Sequence, residues 1–337
     1  SFHQMRTATE EIIPGEGVTE VRMLSDYFPD LAGTAGDTQI YVLQGEQEGG
    51  SCLILGGTHA NELGGHMGAV LFVENAKVEA GTLYVIPRTN NSAFTHNDPQ
   101  EGHPSTVHIT TDEGNVREFI HGSRATNPVD QWPDPDVYVN YMGQSLSGSE
   151  NRNINRTYPG KADGTLTEMM SYGIVQLINT ENIDVTVDLH EASPEYPVIN
   201  ALIAHERAMN LASNVVVDMQ MEGVQISLEP SPTDLRGLTH RELGDHTDTL
   251  ALLMEAPNPA QGRLRDRTDE ALVLTGKSET YVKAGEIGQL YVPYDENGWP
   301  IEVRCARHVF GIERILANYS EMYEEPIIVT GMPSYDE

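Results

Sequence analysis

The chain has 337 residues and a mass of 37.1 kDa, which corresponds to about two ordinary domains or to one large α/β domain with additions. Hydrophobic residues make up 39% of it, enough for a sizeable core. Asp and Glu outnumber Lys and Arg by 51 to 20, so the net charge is −31. Nucleic-acid phosphates and anionic membrane surfaces repel such a protein, which excludes nucleic acid as a partner. No apolar run approaches the ~18 residues of a transmembrane helix.

Two cysteines, Cys52 and Cys305, are too few for a disulfide framework. Cys52 lies within an apolar run, so we expect it to be a buried thiol. The chain starts at Ser1 rather than at Met, and few of its basic residues are Lys. From this we expect an exported or membrane-anchored extracytoplasmic protein, with a cytoplasmic location as the alternative.

The apolar pattern of the first part of the chain predicts strands and one helix. Residues 1–45 form an N-terminal region with two short strands, and a continuous apolar run after it is typical of a strand that is buried on both faces. A strand, a helix and a strand then follow one another, which predicts a parallel or mixed sheet with helices outside it. The predicted strands are 21–24, 38–43, 51–57 and 81–86, and the predicted helix is 62–75.

Residues 95–150 are rich in Pro, Gly, Asn, Asp and His and show little periodicity. A structureless segment of this length is uncommon, so we expect an insertion that forms a wall or lid over a pocket. Beyond it, regular patterns return, and residues 259–300 are compatible with a β-rich subregion. The predicted helices are 166–180, 207–221 and 302–319, and the predicted strands are 183–189, 198–204 and 249–254.

Polar clusters follow three of the apolar strands, at 56–62, 188–191 and 254–257. A fourth cluster, at 151–160, opens the return from the insertion. In open α/β sheets, sites form in the crevice beyond the carboxyl ends of the strands. These clusters are therefore the candidate site.

His59 and Glu62 lie three residues apart just after a strand, so one turn can aim both at a common point. Imidazole nitrogen and carboxylate oxygen are good zinc ligands, and a catalytic zinc needs a third protein ligand and an open position for water. His190, at the end of another predicted strand, can supply the third ligand. Asp188, two residues earlier, is a candidate partner that orients an imidazole.

The sequence resembles the zinc carboxypeptidases, and within them the succinylglutamate desuccinylase/aspartoacylase branch. Four separated motifs carry the resemblance in the correct order: Gly56-Gly-Thr-His-Ala-Asn-Glu62, Asn153-Ile-Asn-Arg-Thr-Tyr-Pro-Gly160, Asp188-Leu-His190 and Glu255. The resemblance implies an α/β fold with a mixed, twisted sheet flanked by helices. It also implies one zinc ion per chain, held by His59, Glu62 and His190.

The resemblance further implies that Asn155 and Arg156 hold a substrate carboxylate and that Glu255 is the catalytic glutamate. A carboxylate near the zinc can take a proton from water and pass it to the leaving amine. Glu191 is an alternative base because it adjoins His190, but neighbouring residues of a strand point to opposite faces. We therefore predict Glu255.

A further arginine is expected to stabilise the oxyanion of the tetrahedral intermediate. The sequence leaves its identity open among Arg88, Arg152, Arg117 and Arg124, and we predict Arg88 and Arg152.

The sequence departs from the family pattern at two positions of the predicted site. Asn153 stands where the family usually has Asp, and Glu191 stands where the better-known deacylases have a small or amide residue. These differences concern the substrate rather than the chemistry.

The resulting hypothesis divides the chain into the N-terminal region and a zinc carboxypeptidase-like catalytic domain at 46–330. We predict a zinc-dependent hydrolase that cleaves an amide bond of a small substrate bearing a carboxylate, as an N-acyl amino acid deacylase does. The alternatives are a zinc carboxypeptidase acting on peptides or cell-wall peptides, and a non-catalytic metal-containing binding protein. The expected partner is a small molecule or a short peptide with a carboxylate, and the oligomeric state is open.

Overall fold

The computed structural model describes residues 2–97, 103–111 and 114–335. The strands are β1 (Glu20–Met23), β2 (Gln39–Gln44), β3 (Gln47–Leu55), β4 (Lys77–Ile86), β5 (Thr106–Thr110), β6 (Val116–Ile120), β7 (Val137–Val139), β8 (Ser145–Ser147), β9 (Val185–Ala192), β10 (Ala201–Ala204), β11 (Ser227–Pro230), β12 (Leu250–Pro257) and β13 (Ile328–Thr330). The helices are α1 (Phe2–Thr7), α2 (Leu63–Asn75), α3 (Leu166–Glu181), α4 (Met209–Met221), α5 (Thr239–His246), α6 (Glu270–Thr275), α7 (Glu279–Glu286) and α8 (Ile301–Met322).

Nine strands of the described residues form one mixed sheet in the order β1-β2-β4-β3-β9-β12-β10-β11, with β13 paired to β4. The four central strands β4, β3, β9 and β12 are parallel to one another, whereas β2 pairs with β4 and β10 pairs with β12 in the antiparallel sense. The predicted α/β fold with a mixed sheet is therefore confirmed.

Helices cover both faces of the sheet. The larger apolar cluster joins one face to α2, α4 and α8, and the second cluster joins the other face to α3 and α5. In β3, Cys52 and Ile54 belong to the first cluster while Leu53 and Leu55 belong to the second. This alternation explains the continuous apolar run of the strand, because both of its faces are buried. Cys52 is a buried free thiol, as expected.

The predicted unit of strand, helix and strand is formed by β3, α2 and β4, and β3 pairs with β4 in parallel. The insertion at 95–150 is not structureless in its described part. It contains the hairpins β5–β6 and β7–β8 and short 3₁₀ turns. None of the described helices has the length and apolar composition that would let it cross a membrane.

The segment 259–300 differs from the expected β-rich subregion, because it contains α6 and α7 and no strand. Each helix begins at a residue whose side chain caps it: Asp269 accepts from the backbone N–H of Leu272, and Ser278 accepts from that of Tyr281. Such N-caps favour a short helix over an extended run. The C-terminal strand lies later, at β13.

Candidate active site

The candidate site lies where three adjacent parallel strands, β3, β9 and β12, reach the same edge of the sheet. His59 and Glu62 follow β3, His190 lies within β9, and Glu255 lies within β12 directly opposite His190. The parallel arrangement thus brings residues from distant parts of the chain to one crevice.

A tight turn after β3 places His59 at this edge. Gly57 adopts a φ of +60°, and a Cβ at this position would lie 2.5 Å from the carbonyl oxygen of Pro87. Only glycine fits a left-handed conformation with so close a neighbour. The glycine therefore lets the chain reverse immediately after the strand and aim His59 inward.

Three buried side chains converge at the centre of the site. Glu62 lies between the histidines, with Oε1 2.7 Å from His59 Nδ1 and Oε2 3.0 Å from His190 Nδ1. One ligand atom from each of the three lies within 4.8 Å of the others, and no other such group of His, Cys, Asp or Glu occurs in the part of the chain that the structure describes. The structure thus brings the three predicted ligands together.

The outer nitrogens of both rings are held by hydrogen bonds. His190 Nε2 lies 2.8 Å from Asp188 Oδ2, and His59 Nε2 lies 2.9 Å from Asn153 Oδ1. Thr58 donates a further hydrogen bond of 2.6 Å to Asp188. Metal-binding histidines commonly donate their second N–H to a carboxylate or carbonyl in this way. The arrangement leaves Nδ1 of each ring facing the shared centre.

The charges at the centre favour a cation. Burial raises the pKa of Glu62, but His59 and His190 outweigh it and hold this pKa well below its usual range. Burial and the charge of Arg124 lower the pKa of His59 to about 4, so this ring is neutral. Burial opposes a charge on His190, whereas Asp188 and Glu62 raise its pKa well above the ordinary value. A cation among the ligands would take the place of the His190 proton.

These residues fit a zinc ion. Two imidazoles and one carboxylate form the donor set of many catalytic zinc sites, in which the fourth position is left for water or substrate. All three side chains are at most 2% exposed.

Glu255 reaches the same cavity from β12. Its Oε2 is shut off from solvent and accepts no hydrogen bond from the described residues. Burial raises the pKa of Glu255 to about 8. A carboxyl group with this pKa is able to accept or donate a proton near neutral pH. A nearby cation would bring the raised pKa of Glu255 down, closer to 7.

Asn155 and Arg156 also line this cavity, as expected. The Oδ1 of Asn155 accepts hydrogen bonds from the backbone N–H and hydroxyl of Thr239, at 2.8 and 3.0 Å, so its NH₂ group remains available as a donor. The guanidinium of Arg156 is mostly buried, and its nearest described carboxylate contact is a long one, 3.7 Å from Nε to Glu150 Oε2. An arginine that is buried without a close counter-ion is suited to bind a carboxylate from a ligand.

The structure brings neither Arg88 nor Arg152 into the lining of this cavity. Arg152 binds both carboxylate oxygens of Asp134, at 2.7 and 2.9 Å. Arg88 is half-buried, and its guanidinium lies over the ring of Phe94, 4.4 Å from the centroid.

Arg124, from the insertion, is the arginine that lies beside the centre. Its Nη1 is 3.3 Å from His59 Nδ1 and 3.4 Å from Glu62 Oε1. It follows β6 in an irregular loop, where no hydrophobic period distinguishes it from the other arginines of the insertion.

Glu191 serves a different purpose from Glu255. Its carboxylate is completely buried and is bound by Arg304 at 3.0 Å, by the backbone N–H of Gly64 and by Asn258. With these donors in place it is a structural group rather than a proton acceptor.

The cavity has a volume of about 420 Å³ and extends from the candidate metal centre along the sheet towards β11. Its far end was not predicted from the sequence. Glu229 and Pro230 of β11 lie at this end, and the other lining residues that were not predicted are Val198, Ile203, Pro232, Leu235, Leu238, His240 and Leu253. Burial lowers the pKa of His240 to about 3, so its ring is neutral there.

Comparison with solved structures identifies the fold. The product-bound cell shape determinant protein Csd4 of Helicobacter pylori matches with a TM-score of 0.51 and 13% identity, over 88% of this chain and 57% of that one. A metallo-carboxypeptidase of Burkholderia cenocepacia matches with a TM-score of 0.50 and 12% identity, over 91% and 66% of the two chains. A succinylglutamate desuccinylase of Silicibacter sp. TM1040 gives 0.48 and 15%, over 88% and 63%.

These matches confirm the carboxypeptidase-like fold that the motifs predict. The chain spans roughly three-fifths of the length of these solved structures, 57% to 66%. No protein-family model matches the sequence, and no curated protein matches it.

Proposed function

We propose that this protein is a zinc-dependent hydrolase that cleaves an amide bond in a small substrate bearing a free carboxylate, as an N-acyl amino acid deacylase does. One observation carries the proposal: the ligand set His59–Glu62–His190, an unpartnered Glu255 and the carboxylate-binding pair Asn155–Arg156 line one cavity. A binding protein would need the anion site but not a carboxylate with a raised pKa and an unpartnered oxygen, as in Glu255.

The chemistry requires a nucleophile, a proton carrier and a stabilised oxyanion. A bound zinc ion would lower the pKa of a coordinated water from ~15.7 to about 7 and would polarise the scissile carbonyl. Glu255 accepts the proton that the attacking water loses as its oxygen bonds to the carbonyl carbon. The same carboxyl then gives this proton to the amine nitrogen as the C–N bond breaks.

Arg156 and Asn155 position the substrate. The guanidinium of Arg156 pairs with the free carboxylate, and the NH₂ of Asn155 donates a further hydrogen bond to it. Because the carboxylate is fixed at one end of the cavity, the amide bond is held beside Glu255. Such orientation converts an encounter in solution into a reaction within one complex.

Arg124 is the residue that we propose for the oxyanion, in place of Arg88 and Arg152. Its Nη1 lies close to both His59 and Glu62, so a carbonyl oxygen at the centre lies within reach of the guanidinium. A fixed positive charge aimed at this oxygen stabilises the negative charge that develops there.

The test compares a Glu255→Gln variant with the wild type after loading with zinc. We expect the variant to keep its bound zinc, measured by elemental analysis, and to lose about 100- to 10,000-fold in kcat. Glu46→Gln, at an exposed position remote from the site, serves as the matched control and is expected to keep full activity. Equal rates for the Glu255→Gln variant and the wild type would refute the assigned base.

The substrate panel separates the alternatives. N-acetyl amino acids are the expected substrates, and peptides with a free C-terminus test the carboxypeptidase alternative, which uses the same residues. If the zinc-loaded protein binds these compounds but hydrolyses none, the non-catalytic alternative is correct.

A further inference from the structure

The far end of the cavity is built on one row of side chains across the sheet. Leu253 of β12 lies opposite Ile203 of β10, and Ile203 lies opposite Glu229 of β11. Residues directly opposite in neighbouring strands project from the same face. Leu253 also shares this face with Glu255, two residues along the same strand. The row therefore starts beside the proposed proton acceptor and leads away from it to Glu229.

The first part of this row is apolar. Ile203 and Leu253 form a small cluster with Ala201 and Val198 that is separate from the two large cores of the sheet. Ile203 and Leu253 both line the cavity, so a ligand side chain that enters it would meet aliphatic surface. Burial of apolar stem atoms against this surface removes them from water and so favours binding.

The row ends in a carboxylate. Glu229 is half-buried, and no described residue forms an ion pair or a side-chain hydrogen bond with it. Neighbouring strands are ~4.8 Å apart, so the backbone of Glu229 lies about 10 Å from that of Leu253. This distance matches a side chain that carries its functional group on a stem of several carbons.

The cations of the cavity are all at its other end. Arg124 and Arg156 are the only arginines or lysines among its described lining residues, and both are assigned to the reacting end. His240, which also lines the cavity, is buried and neutral, with its Nδ1 2.7 Å from the hydroxyl of Ser231. A second carboxylate on the substrate would therefore find no positive partner here and would face Glu229 instead.

We propose that this far end is a subsite for a side chain with an aliphatic stem and a positively charged tip, such as the amine of lysine, with Glu229 as its counter-charge. The inference rests on the proposed function for the placing of the substrate, whose carboxylate lies at Arg156. The preferred substrate is then an acylated or peptide-linked basic amino acid rather than an acidic or purely apolar one.

Binding of free amino acids tests the subsite without requiring turnover. Lysine and norleucine have the same four-carbon stem and differ in the terminal amine, so the ratio of their Kd values measures the contribution of the charge. Calorimetry on the zinc-loaded wild type is expected to give about tenfold tighter binding of lysine, since a hydrogen-bonded charge pair in a partly buried site contributes at this level. Glutamate is expected to bind more weakly than norleucine.

A Glu229→Gln variant removes the charge and keeps the shape. We expect the ratio of the two Kd values to fall to near one, and we expect Glu229→Lys to bind glutamate more tightly than lysine. Glu222→Gln, an equal change of charge at an exposed position, is the control and should keep the wild-type ratio. An unchanged ratio in Glu229→Gln, or equal binding of lysine and norleucine by the wild type, would overturn the inference.

Hydrolysis separates this inference from the proposed function. The ratio of kcat/KM for Nα-acetyl-lysine and Nα-acetyl-norleucine is expected to change in parallel with the ratio of the two Kd values. This holds for the wild type and for Glu229→Gln. Selective binding of lysine without hydrolysis of any compound would leave the subsite in place and refute the proposed function. Hydrolysis without a preference for lysine would refute the subsite alone.

Discussion

Asp188 is completely buried beneath the candidate metal centre, and its carboxylate is shared between His190 and Thr58. Burial raises its pKa, but the charge and hydrogen bond of His190 lower it below the ordinary value overall. The carboxylate therefore stays ionised and fixes the ring of His190 with Nδ1 inward. His59 has a neutral amide, Asn153, in the equivalent place, so the two rings are held by partners of different basicity.

Replacing Asp188 by Asn is expected to weaken zinc binding by about 10- to 100-fold, because the amide orients His190 but no longer increases its basicity. Competition with a chromophoric chelator measures this loss. Asp163→Asn, at an exposed position, is the control for the change in charge. Zinc affinity equal to that of the wild type would mean that Asp188 has only a structural role.

The residues of the candidate metal centre and the proposed base were predictable because they follow or lie in apolar strands. An apolar strand precedes His59 and Glu62, and apolar strands contain His190 and Glu255 near their ends. The parallel sheet brings these strand ends together. Arg124 has no such signal, since its position depends on how the loop of the insertion packs. Glu229 was missed because only the pairing of β10 with β11 determines which face it shares.

Helix α8 is joined to strand β9 by the ion pair between Arg304 and Glu191, whose side chains are both fully buried. Arg304 also donates to the carbonyl oxygen of Val273, which lies within α6. One side chain thus connects three elements behind the candidate active site. The backbone N–H of Glu191 in turn donates to Glu62, 2.9 Å away.

An Arg304→Met variant is expected to lose about 3–5 kcal/mol in its free energy of unfolding, because the charge of Glu191 remains buried without its counter-ion. Adding Glu191→Gln should recover part of this loss by removing that charge. Urea unfolding measures both. Arg314, on the same helix, lies over the ring of Phe310 and forms no ion pair with a buried carboxylate of the described residues. The control Arg314→Met is therefore expected to cost only about 1 kcal/mol. If the double variant is as unstable as the sum of its single changes, the buried charge is not the cause.

His308, also on α8, is completely buried, and neither ring nitrogen has a hydrogen-bond partner among the described residues. Burial lowers its pKa to about 3. The unfolded chain therefore binds a proton below about pH 6.5 while the folded protein does not, so stability falls as the pH decreases from about 6.5 to about 3.

A His308→Leu variant is expected to lose this pH dependence. Between about pH 7 and pH 5.5, the free energy of unfolding of the wild type should fall by about 1 kcal/mol more than that of the variant. Urea titrations at the two pH values measure the difference. Identical changes in both proteins would show that His308 binds its proton equally in the folded and unfolded states.

The helices at 270–275 and 279–286 show why some elements could not be predicted. Each is at most eight residues long and depends on a single capping side chain, Asp269 or Ser278. A helix of two turns has little room for a hydrophobic period, so the local pattern indicated strands instead. Long periodic elements such as α3 and α8 were predicted close to their observed bounds.

The net charge of −31 affects the whole molecule, because folding concentrates acidic side chains on a compact surface. Salt screens this repulsion, and the Debye length falls from about 30 Å at 0.01 M to about 3 Å at 1 M. The melting temperature is therefore expected to rise with ionic strength over this range. Differential scanning calorimetry in sodium, potassium and tetramethylammonium chloride tests this, since screening predicts the same rise for all three cations. A decrease, or a rise with one cation only, would contradict it.

The same excess of acidic groups governs how ligands reach the cavity. A dianion approaches against a repulsive field, so its association rate should be low in dilute buffer and should increase with added salt. A molecule that presents a carboxylate to Arg156 and an ammonium to Glu229 has no net charge. It is therefore not repelled in this way, because the forces on its two ends largely cancel. The charge of the protein surface thus makes the association rates of ligands differ before any ligand contacts the cavity wall.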